Sequence, residues 1–355
     1  MLSNGLTERL HIQYPVIQAP MAGGVTTTEL ITEVVRSGGL GMIGAGYMAP
    51  EQIRNQIKDI KSVVSGGFGI NLFVPNEFTI SGEVIDIARD TLQPFYDELN
   101  MPADNQVTIP DYESATHTFL EQLKVTIEEK VPVCSFTFGI PAEKIIAELK
   151  EHGIITMGTA TTVNEAIAIE NSGMDAVVVQ GSEAGGHRGH FLEGHEKSQI
   201  GLMSLIPQVV DHVTIPVIAA GGVMDGRGLT ASMCLGAQAV QMGTAFLTCA
   251  ESGAKPLHKE AILQAQEDQT VLTRAFSGKW ARGIHNVFIE KMADQQACLP
   301  EFPVQNALTK PLRKASAQQG KSDFMSLWSG QTPRLARSQT VASLFEKLIK
   351  QTRDL

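Results

Sequence analysis

Short apolar runs alternate with amphipathic stretches along most of the chain. Each run is short enough for a buried strand, and in most of the stretches that follow, apolar residues recur at helical spacing. This alternation is typical of βαβ units, which place parallel strands inside and helices outside. Eight runs are predicted as strands: Pro15–Gln18, Gly41–Gly44, Gly67–Asn71, Val133–Thr137, Ile154–Thr159, Asp175–Gln180, Val217–Ala220 and Ala239–Met242.

The helix-like stretches give the fold class. They include Thr27–Val35, Pro50–Val64, Pro141–Glu151, Thr162–Asn171, Leu202–Val210 and Gly226–Leu235. Thr162 is predicted to cap its helix, with Glu165 completing a capping box. Eight βα repeats in about 250 residues predict an α/β fold with a closed TIM-type (β/α)8 barrel. An open doubly wound sheet is the alternative, but Gln18–Gly24 lacks its glycine fingerprint.

Two regions interrupt the repeat. Residues 75–117 form an excursion, in which Ser81–Leu99 is predicted to be a helix over the barrel mouth. The tail Ser338–Lys350 predicts an amphipathic helix that closes the barrel. Its apolar face is formed by Val341, Leu344, Phe345 and Leu348. The predicted divisions are a barrel over 1–248, a smaller, mainly helical, substrate-covering insertion over 249–334 and the closing helix within 335–355.

Composition excludes several classes of protein. The chain has 355 residues, 43% of them hydrophobic, which suits one large α/β unit. Its net charge of -10 argues against nucleic-acid binding, and no apolar run is long enough to cross a membrane. The four cysteines have no metal or redox spacing, and the first residues show no signal-peptide pattern, so we expect a cytoplasmic protein.

The segment Gln180–His190 carries the strongest candidate for chemistry. It follows a predicted strand, and its glycines let the backbone approach a ligand. His187 is the leading catalytic candidate, since an imidazole acts as acid, base or electrostatic stabiliser near neutral pH. We expect Arg188 to pair with Glu183 or Glu193 rather than to bind an anion.

A metal site is not predicted in this segment. His190 and His195 lie near His187 in sequence and raise the possibility of a histidine cluster. Their spacing matches no zinc signature, and no cysteine or obvious carboxylate completes the set.

The loops after the seventh and eighth predicted strands indicate a phosphate site. Gly221 and Gly222 permit close backbone approach, and Thr244 adds a hydroxyl donor. One Gly-Gly pair alone would favour a tight turn into the next helix, but two such loops at these strands favour phosphate.

Two further features indicate that the ligand of this phosphate site is a flavin. Ala19, Pro20 and Met21 offer a rigid, polarisable surface suited to an aromatic ring system. Asn71 and Gln180 end two other strands, and their amides both donate and accept hydrogen bonds, as reading a ring edge requires. Together with the phosphate site, they predict a cradle for flavin mononucleotide (FMN).

Several ordered motifs resemble the nitronate monooxygenases, formerly called 2-nitropropane dioxygenases, and their class I branch. They span nearly the whole chain: Gln18–Met21, Gly69–Phe73, Gln180–Gly189, Ala220–Gly222, Gln241–Thr244, Phe276–Gly283, Gln305–Thr309 and Leu327–Gln331. The resemblance implies an FMN-binding barrel with a covering domain and His187 as the catalytic residue. The implied FMN contacts are Asn71, Gln180, Gly185, Gly222, Gln241, Met242, Gly243 and Thr244, with Gly221 and Gln331 in addition.

The resemblance also implies an activity. The family oxidises alkyl nitronates, such as propionate 3-nitronate, with O2 through a flavosemiquinone, and releases a carbonyl product and nitrite in detoxification. The implied partners are the small-molecule nitronate and O2, in a monomer or homodimer. One departure concerns the substrate pocket: relatives line it with C-terminal tyrosines, whereas no tyrosine here follows Tyr112, and Phe302 stands where a tyrosine is expected. Lys310 and Lys314 remain as candidate anion contacts.

Three other functions remain open at this point. An FMN-dependent NADH:quinone or enoyl-thioester reductase would share the glycine-rich histidine loop, although the C-terminal motifs favour the nitronate branch. An inosinate-type dehydrogenase would need a nucleophilic cysteine, which the loop with His187 lacks. A flavin-binding module without catalysis would not account for the polar loop and the covering domain.

Overall fold

The fold is that of a computed structural model, which describes residues 2–101 and 107–355. Within these residues, the strands are β1 (Val16–Gln18), β2 (Gly41–Gly44), β3 (Phe68–Phe73), β4 (Val133–Thr137), β5 (Ile155–Ala160), β6 (Ala176–Gln180), β7 (Gly186–His187), β8 (Val217–Ala220), β9 (Ala239–Met242), β10 (Thr270–Thr273) and β11 (Ala281–Ile284). All eight predicted strands are present, with bounds within two residues of those expected.

Eight of these strands form a parallel barrel. They are hydrogen-bonded in the order β1-β9-β8-β6-β5-β4-β3-β2. The barrel closes where Ile17 forms a parallel bridge with Leu40, just before β2. The predicted TIM-type barrel is therefore confirmed, and the open doubly wound sheet is not formed.

Alternation along the strands separates two apolar layers. On β9, Ala239 belongs to the barrel interior with Ile218, whereas Val240 belongs to the layer between strands and helices. This period of two places every second side chain inside the barrel, where the last ones reach its mouth.

The helices follow the strands in the expected alternation. They are α1 (Gly5–Leu10), α2 (Thr28–Arg36), α3 (Pro50–Val63), α4 (Gly82–Glu98), α5 (Tyr112–Glu128), α6 (Glu143–Glu151), α7 (Val163–Asn171), α8 (Leu202–Val210), α9 (Gly226–Cys234), α10 (Thr244–Leu247), α11 (Pro256–Gln264), α12 (Val287–Lys291), α13 (Val304–Gln318) and α14 (Val341–Asp354), with 3-10 turns at His195–Ser198, Ala293–Cys298 and Pro333–Leu335. The six predicted helices and the closing helix are confirmed.

The closing helix α14 returns to the barrel after the insertion. It packs between α9, which follows β8, and α2, which follows β1. The four residues of its predicted apolar face are buried: Val341, Leu344, Phe345 and Leu348. The helix thus occupies the eighth helical position of the barrel.

A second apolar core lies outside the barrel. Helix α4 of the excursion packs on α13, and Phe95 contacts Phe288 and Phe324 of the insertion at centroid distances of 4.8 and 5.4 Å. The excursion and the insertion therefore share one core. The domain bounds given above remain a prediction.

A small antiparallel sheet connects the insertion to the barrel. Strands β10 and β11 form a hairpin, and the two-residue strand β7 pairs with β11, with Ala281 opposite His187. The predicted, mainly helical insertion did not include this sheet. Because β7 pairs with β11, the loop bearing His187 is held by the insertion as well as by the barrel.

Candidate active site

A cavity of about 1210 Å³ opens at the carboxyl ends of the barrel strands. This is the end of a (β/α)8 barrel at which active sites are built. Most of the predicted site residues line it: Ala19, Pro20, Met21, Asn71, Gln180, Gly185, His187, Gly221, Gly222, Gln241, Gly243 and Thr244. Residues from six strands and their following loops thus meet in one place.

Two predicted cofactor residues, Met242 and Gln331, do not line this cavity. Met242 is 1% exposed and packs in the layer between strands and helices, because alternation on β9 turns Gln241 inward and Met242 outward. The side chain of Gln331 is exposed, and its backbone N–H donates to the Glu183 carbonyl at 3.0 Å. For both residues, the backbone is the part that lies near the site.

Glycine is required at several positions of the cavity wall. Gly221 and Gly222 have φ of +126° and +68°, which side-chain-bearing residues rarely adopt. A Cβ on Gly185 would lie 2.5 Å from the amide nitrogen of Gly330, so the loop and the insertion meet backbone to backbone. A Cβ on Gly186 would meet no atom within 4 Å, so the space beside it is open to a ligand.

Two side chains, those of Gln180 and Arg188, fix the loop that bears His187. The Gln180 amide donates to the His187 carbonyl at 3.0 Å and accepts from the Gly189 N–H at 2.8 Å. Arg188 is fully buried and donates to the carbonyls of Gly181 and Ser198 at 2.5 and 2.6 Å. The expectation of an Arg188 ion pair is therefore wrong, because the guanidinium caps backbone carbonyls inside the loop.

Glu165 holds the far end of the same loop. Thr162 caps α7 as predicted, since its hydroxyl accepts from the Glu165 N–H at 3.2 Å. The capping box is wrong, however, because the buried Glu165 carboxylate accepts from the N–H and hydroxyl of Thr161 at 2.6 and 2.7 Å. It also accepts from the amides of Phe191 and Leu192 at 2.6 and 3.1 Å.

The His187 imidazole is hydrogen-bonded to the insertion and is influenced by two cations. Its Nε2 is 2.8 Å from Ser277 Oγ, in the turn between β10 and β11. Burial lowers the pKa of His187 to about 3, with the charges of Lys279 and Arg313 acting in the same direction. The ring is therefore neutral at neutral pH and has the capacity to accept a proton.

Aromatic rings enclose the imidazole. Phe138, Phe302 and Trp328 lie 5.9, 5.9 and 5.5 Å from it, measured between ring centroids. Phe138 has φ of 75°, a strained backbone conformation for a bulky side chain. The expected C-terminal tyrosine is absent, and the tyrosine that lines the cavity is Tyr47, from the loop after β2.

The cavity wall carries positive charge. Among the described residues that line it, four are lysine or arginine and none is aspartate or glutamate; the four are Lys255, Lys310, Arg313 and Lys314. Burial lowers the pKa of Arg313, whose guanidinium donates to the backbone and side-chain oxygens of Asn306 at 2.9 and 2.8 Å. In a chain of net charge -10, this local concentration of cations favours an anionic ligand.

A second cavity of about 780 Å³ adjoins the first. Tyr47, Phe73 and Phe138 line both cavities and form an aromatic wall between them. The rings of Phe73 and Phe138 are 4.6 Å apart, and those of Tyr47 and Phe73 are 5.4 Å apart. The wall limits the space available beside His187.

Several of these residues were missed by the sequence reasoning. Ser277, Lys279 and Trp328 lie in the motifs at Phe276–Gly283 and Leu327–Gln331, which were noticed without roles. Arg313 left a different signal, a polar stripe at helical spacing on α13. The stripe comprises Asn306, Lys310, Arg313 and Lys314, all of which face the cavity.

Other features of the described residues bear on the alternatives. Within 2–101 and 107–355, no group of three or more His, Cys, Asp or Glu side chains is arranged to hold a metal. His195, one of the histidines considered for a metal, instead stacks its ring on Trp280 at 4.3 Å between centroids.

None of the four cysteines in this part of the chain lines the cavity, which disfavours a cysteine-dependent dehydrogenase. In the same residues, no helix has the length and apolar character needed to span a bilayer.

A barrel with a glycine-rich, cationic cavity and a neutral histidine is the architecture of a cofactor-dependent enzyme. The family model described as nitronate monooxygenase matches residues 3–351. A probable nitronate monooxygenase from Staphylococcus haemolyticus (strain JCSC1435) is 50% identical over 355 residues, which cover 99% of this chain and 98% of the relative. The chain therefore belongs to the nitronate monooxygenase family, a family of flavin-dependent oxidoreductases.

Two solved structures share the fold over nearly the whole chain. Nitroalkane oxidase from Streptomyces ansochromogenes has a TM-score of 0.90 and 36% identity, covering 99% of this chain and 98% of that one. FabK from Thermotoga maritima has a TM-score of 0.78 and 30% identity, covering 100% of this chain and 97% of that one. Both similarities extend through the barrel and the insertion.

Proposed function

We propose that this protein binds FMN and oxidises alkyl nitronates, such as propionate 3-nitronate, with O2 to a carbonyl product and nitrite. The observation that carries the proposal is the cationic cavity around a neutral His187, whose lining residues in the described chain include no carboxylate. Nitronates and the FMN phosphate are both anions, and both suit such a wall.

The residues present fit FMN. The glycines at 221 and 222 allow the backbone to approach a phosphate, and the open space beside Gly186 leaves room for a flat ring. Thr244 Oγ1 accepts from the Gly330 N–H at 3.0 Å, which leaves its own proton to donate. We infer that Gly221, Gly222 and Thr244 hold the phosphate, and that Ala19, Pro20 and Met21 lie against the ring system. When bound, the flavin supplies the redox chemistry.

The protein's own groups bind and orient the substrate. Lys310 and Arg313 attract the anion, and the aromatic rings about His187 exclude water from it. Because His187 is neutral, its imidazole has the capacity to accept a proton from a neutral nitroalkane.

The alternative is an FMN-dependent reductase that uses NADH. The observation that favours it is the 30% identity to FabK over the whole chain. The higher identity and TM-score to nitroalkane oxidase favour oxidation of nitronates.

The absence of cysteine spacing motifs supports the expected cytoplasmic location.

The test is the release of nitrite. FMN-loaded protein should convert propionate 3-nitronate to nitrite with matching consumption of O2. With nitroethane as the substrate, we expect His187→Gln to lower kcat/KM by about 100-fold or more, while His212→Gln, at an exposed position, leaves it unchanged. No nitrite from the wild-type protein, together with oxidation of NADH by a quinone, would favour the reductase instead.

A further inference from the structure

We propose that Ser277 is a positioning residue that keeps the proton of neutral His187 on Nε2 and so leaves Nδ1 as the proton acceptor of the cavity. The tautomer follows from the hydrogen bonds alone, whereas its use in catalysis rests on the proposed function. A residue of the insertion, Ser277, thus sets which nitrogen of His187 carries the proton.

The Ser277 hydroxyl has a single proton to donate. Ser277 Oγ donates to the Lys279 carbonyl at 3.0 Å and accepts from the Lys279 N–H at 3.3 Å. The remaining neighbour is His187 Nε2 at 2.8 Å. Since the hydroxyl proton is already used, Nε2 must carry the proton and donate it to Oγ.

The opposite tautomer leaves groups without partners. The Ser277 proton would turn to Nε2, and the Lys279 carbonyl would lose its hydrogen bond from Oγ. No hydrogen bond joins Nδ1 to a protein group in residues 2–101 and 107–355, and the ring lines the cavity. The tautomer with its proton on Nε2 therefore keeps every hydrogen bond of this turn, whereas the opposite tautomer breaks the one from Oγ to the Lys279 carbonyl.

The two residues are held in one small sheet. Ser277 is 1% exposed and lies in the turn between β10 and β11. His187 pairs with Ala281 of β11, and the Arg188 N–H donates to the Trp280 carbonyl at 2.8 Å. The distance from Oγ to Nε2 is therefore set by backbone pairing on both sides.

This tautomer matters for one substrate form and not for the other. A neutral nitroalkane must lose a proton from its α-carbon: Nδ1 takes the proton, and the C–H electron pair moves into the nitro group to form the nitronate. The imidazolium that results keeps its Nε2–H on Ser277 Oγ. A nitronate that is supplied ready-made needs no base.

The kinetic test compares these two forms in Ser277→Ala and Ser277→Thr, both loaded with FMN. The readout is the ratio of kcat/KM for nitroethane to kcat/KM for ethyl nitronate. We expect Ser277→Ala to lower this ratio at least about 10-fold and Ser277→Thr, which keeps the hydroxyl, to restore it. An equal loss for both substrates in both variants, or an unchanged ratio in Ser277→Ala, would overturn the proposal.

A spectroscopic test does not depend on turnover. In wild-type protein labelled with 15N-histidine, long-range 1H–15N spectra should show an unprotonated Nδ1 for His187, identified by the signal lost in His187→Gln. A protonated Nδ1 would overturn the proposal. If Nδ1 is unprotonated but the wild type releases no nitrite from nitronates, the proposed function fails while the tautomer stands.

Discussion

The ammonium group of Lys279 lies 4.7 Å from the centroid of the Phe138 ring. The same ring contacts the His187 imidazole in a T-shaped arrangement, with 5.9 Å between the ring centroids. Burial lowers the pKa of Lys279 to about 8, and its charge contributes to the low pKa of His187. Phe138 therefore both encloses the imidazole and separates it from the second cavity.

Removing the Phe138 ring should join the two cavities. We expect Phe138→Ala to shift the preference of the enzyme from short to long linear alkyl nitronates, measured as kcat/KM along a chain-length series. The matched control is Phe136→Ala, which truncates a buried ring facing the helices and should cost about 3–5 kcal/mol of stability without changing the preference. An unchanged chain-length profile in Phe138→Ala would show that the aromatic wall does not set specificity.

Neutralising Glu165 should loosen the loop that follows His187. The Glu165 side chain is fully buried, with four donors on its two oxygens. A glutamine in its place accepts hydrogen bonds only through its single carbonyl oxygen. We expect Glu165→Gln to lower the free energy of unfolding by about 2–3 kcal/mol in urea titrations. The partly exposed Glu170, bonded to Thr214, is the control; a similar loss in Glu170→Gln would contradict this prediction.

Adding a methyl group at Gly185 should weaken flavin binding. Its Cβ would lie 2.5 Å from the backbone of Ser329 and Gly330, so the loop and the insertion must separate. We expect Gly185→Ala to raise the Kd for FMN at least about 10-fold, measured by flavin fluorescence. Gly82→Ala, where a Cβ would meet nothing within 4 Å, should bind FMN as the wild type does. Equal affinities for all three proteins would exclude this packing argument.

Acid should destabilise the protein below pH 6.5. Burial lowers the pKa of His258 to about 4, from 6.5, and those of His187 and His190 to about 3. Between pH 6.5 and 4, the unfolded chain therefore binds more protons than the folded one, and stability falls as pH is lowered.

The His258 contribution can be isolated. His258 is 7% exposed, and we expect His258→Gln to reduce the loss of unfolding free energy between pH 7 and pH 5 by about 2 kcal/mol. The exposed His285→Gln should leave that loss unchanged. Urea titrations at both pH values measure it, and identical losses in wild type and His258→Gln would contradict the prediction.

The barrel was predictable because local patterns specify it. Each barrel strand is a short apolar run between glycine or polar turns, so its position can be read without long-range information. The same alternation identifies Gln241, rather than Met242, as the inward side chain. Most of the predicted cofactor positions were found for this reason, since they end strands whose direction is known.

The pairing of Ser277 with His187 could not be predicted in this way. Strand β7 has two residues and contains a glycine, so it has no periodicity of its own. It exists because β11, far along the chain, pairs with it. The roles of Glu165 and Arg188 were misjudged for a related reason: their partners are backbone groups of the loop, which no side-chain pattern reveals.

Anaerobic mixing distinguishes oxidation of a nitronate from oxidation of NADH. FMN-loaded protein is mixed rapidly with propionate 3-nitronate and, separately, with NADH, while the flavin absorbance is followed. We expect fast reduction of the flavin by the nitronate and none by NADH. Fast bleaching by NADH with no response to the nitronate would contradict it and make the protein a pyridine-nucleotide-dependent reductase.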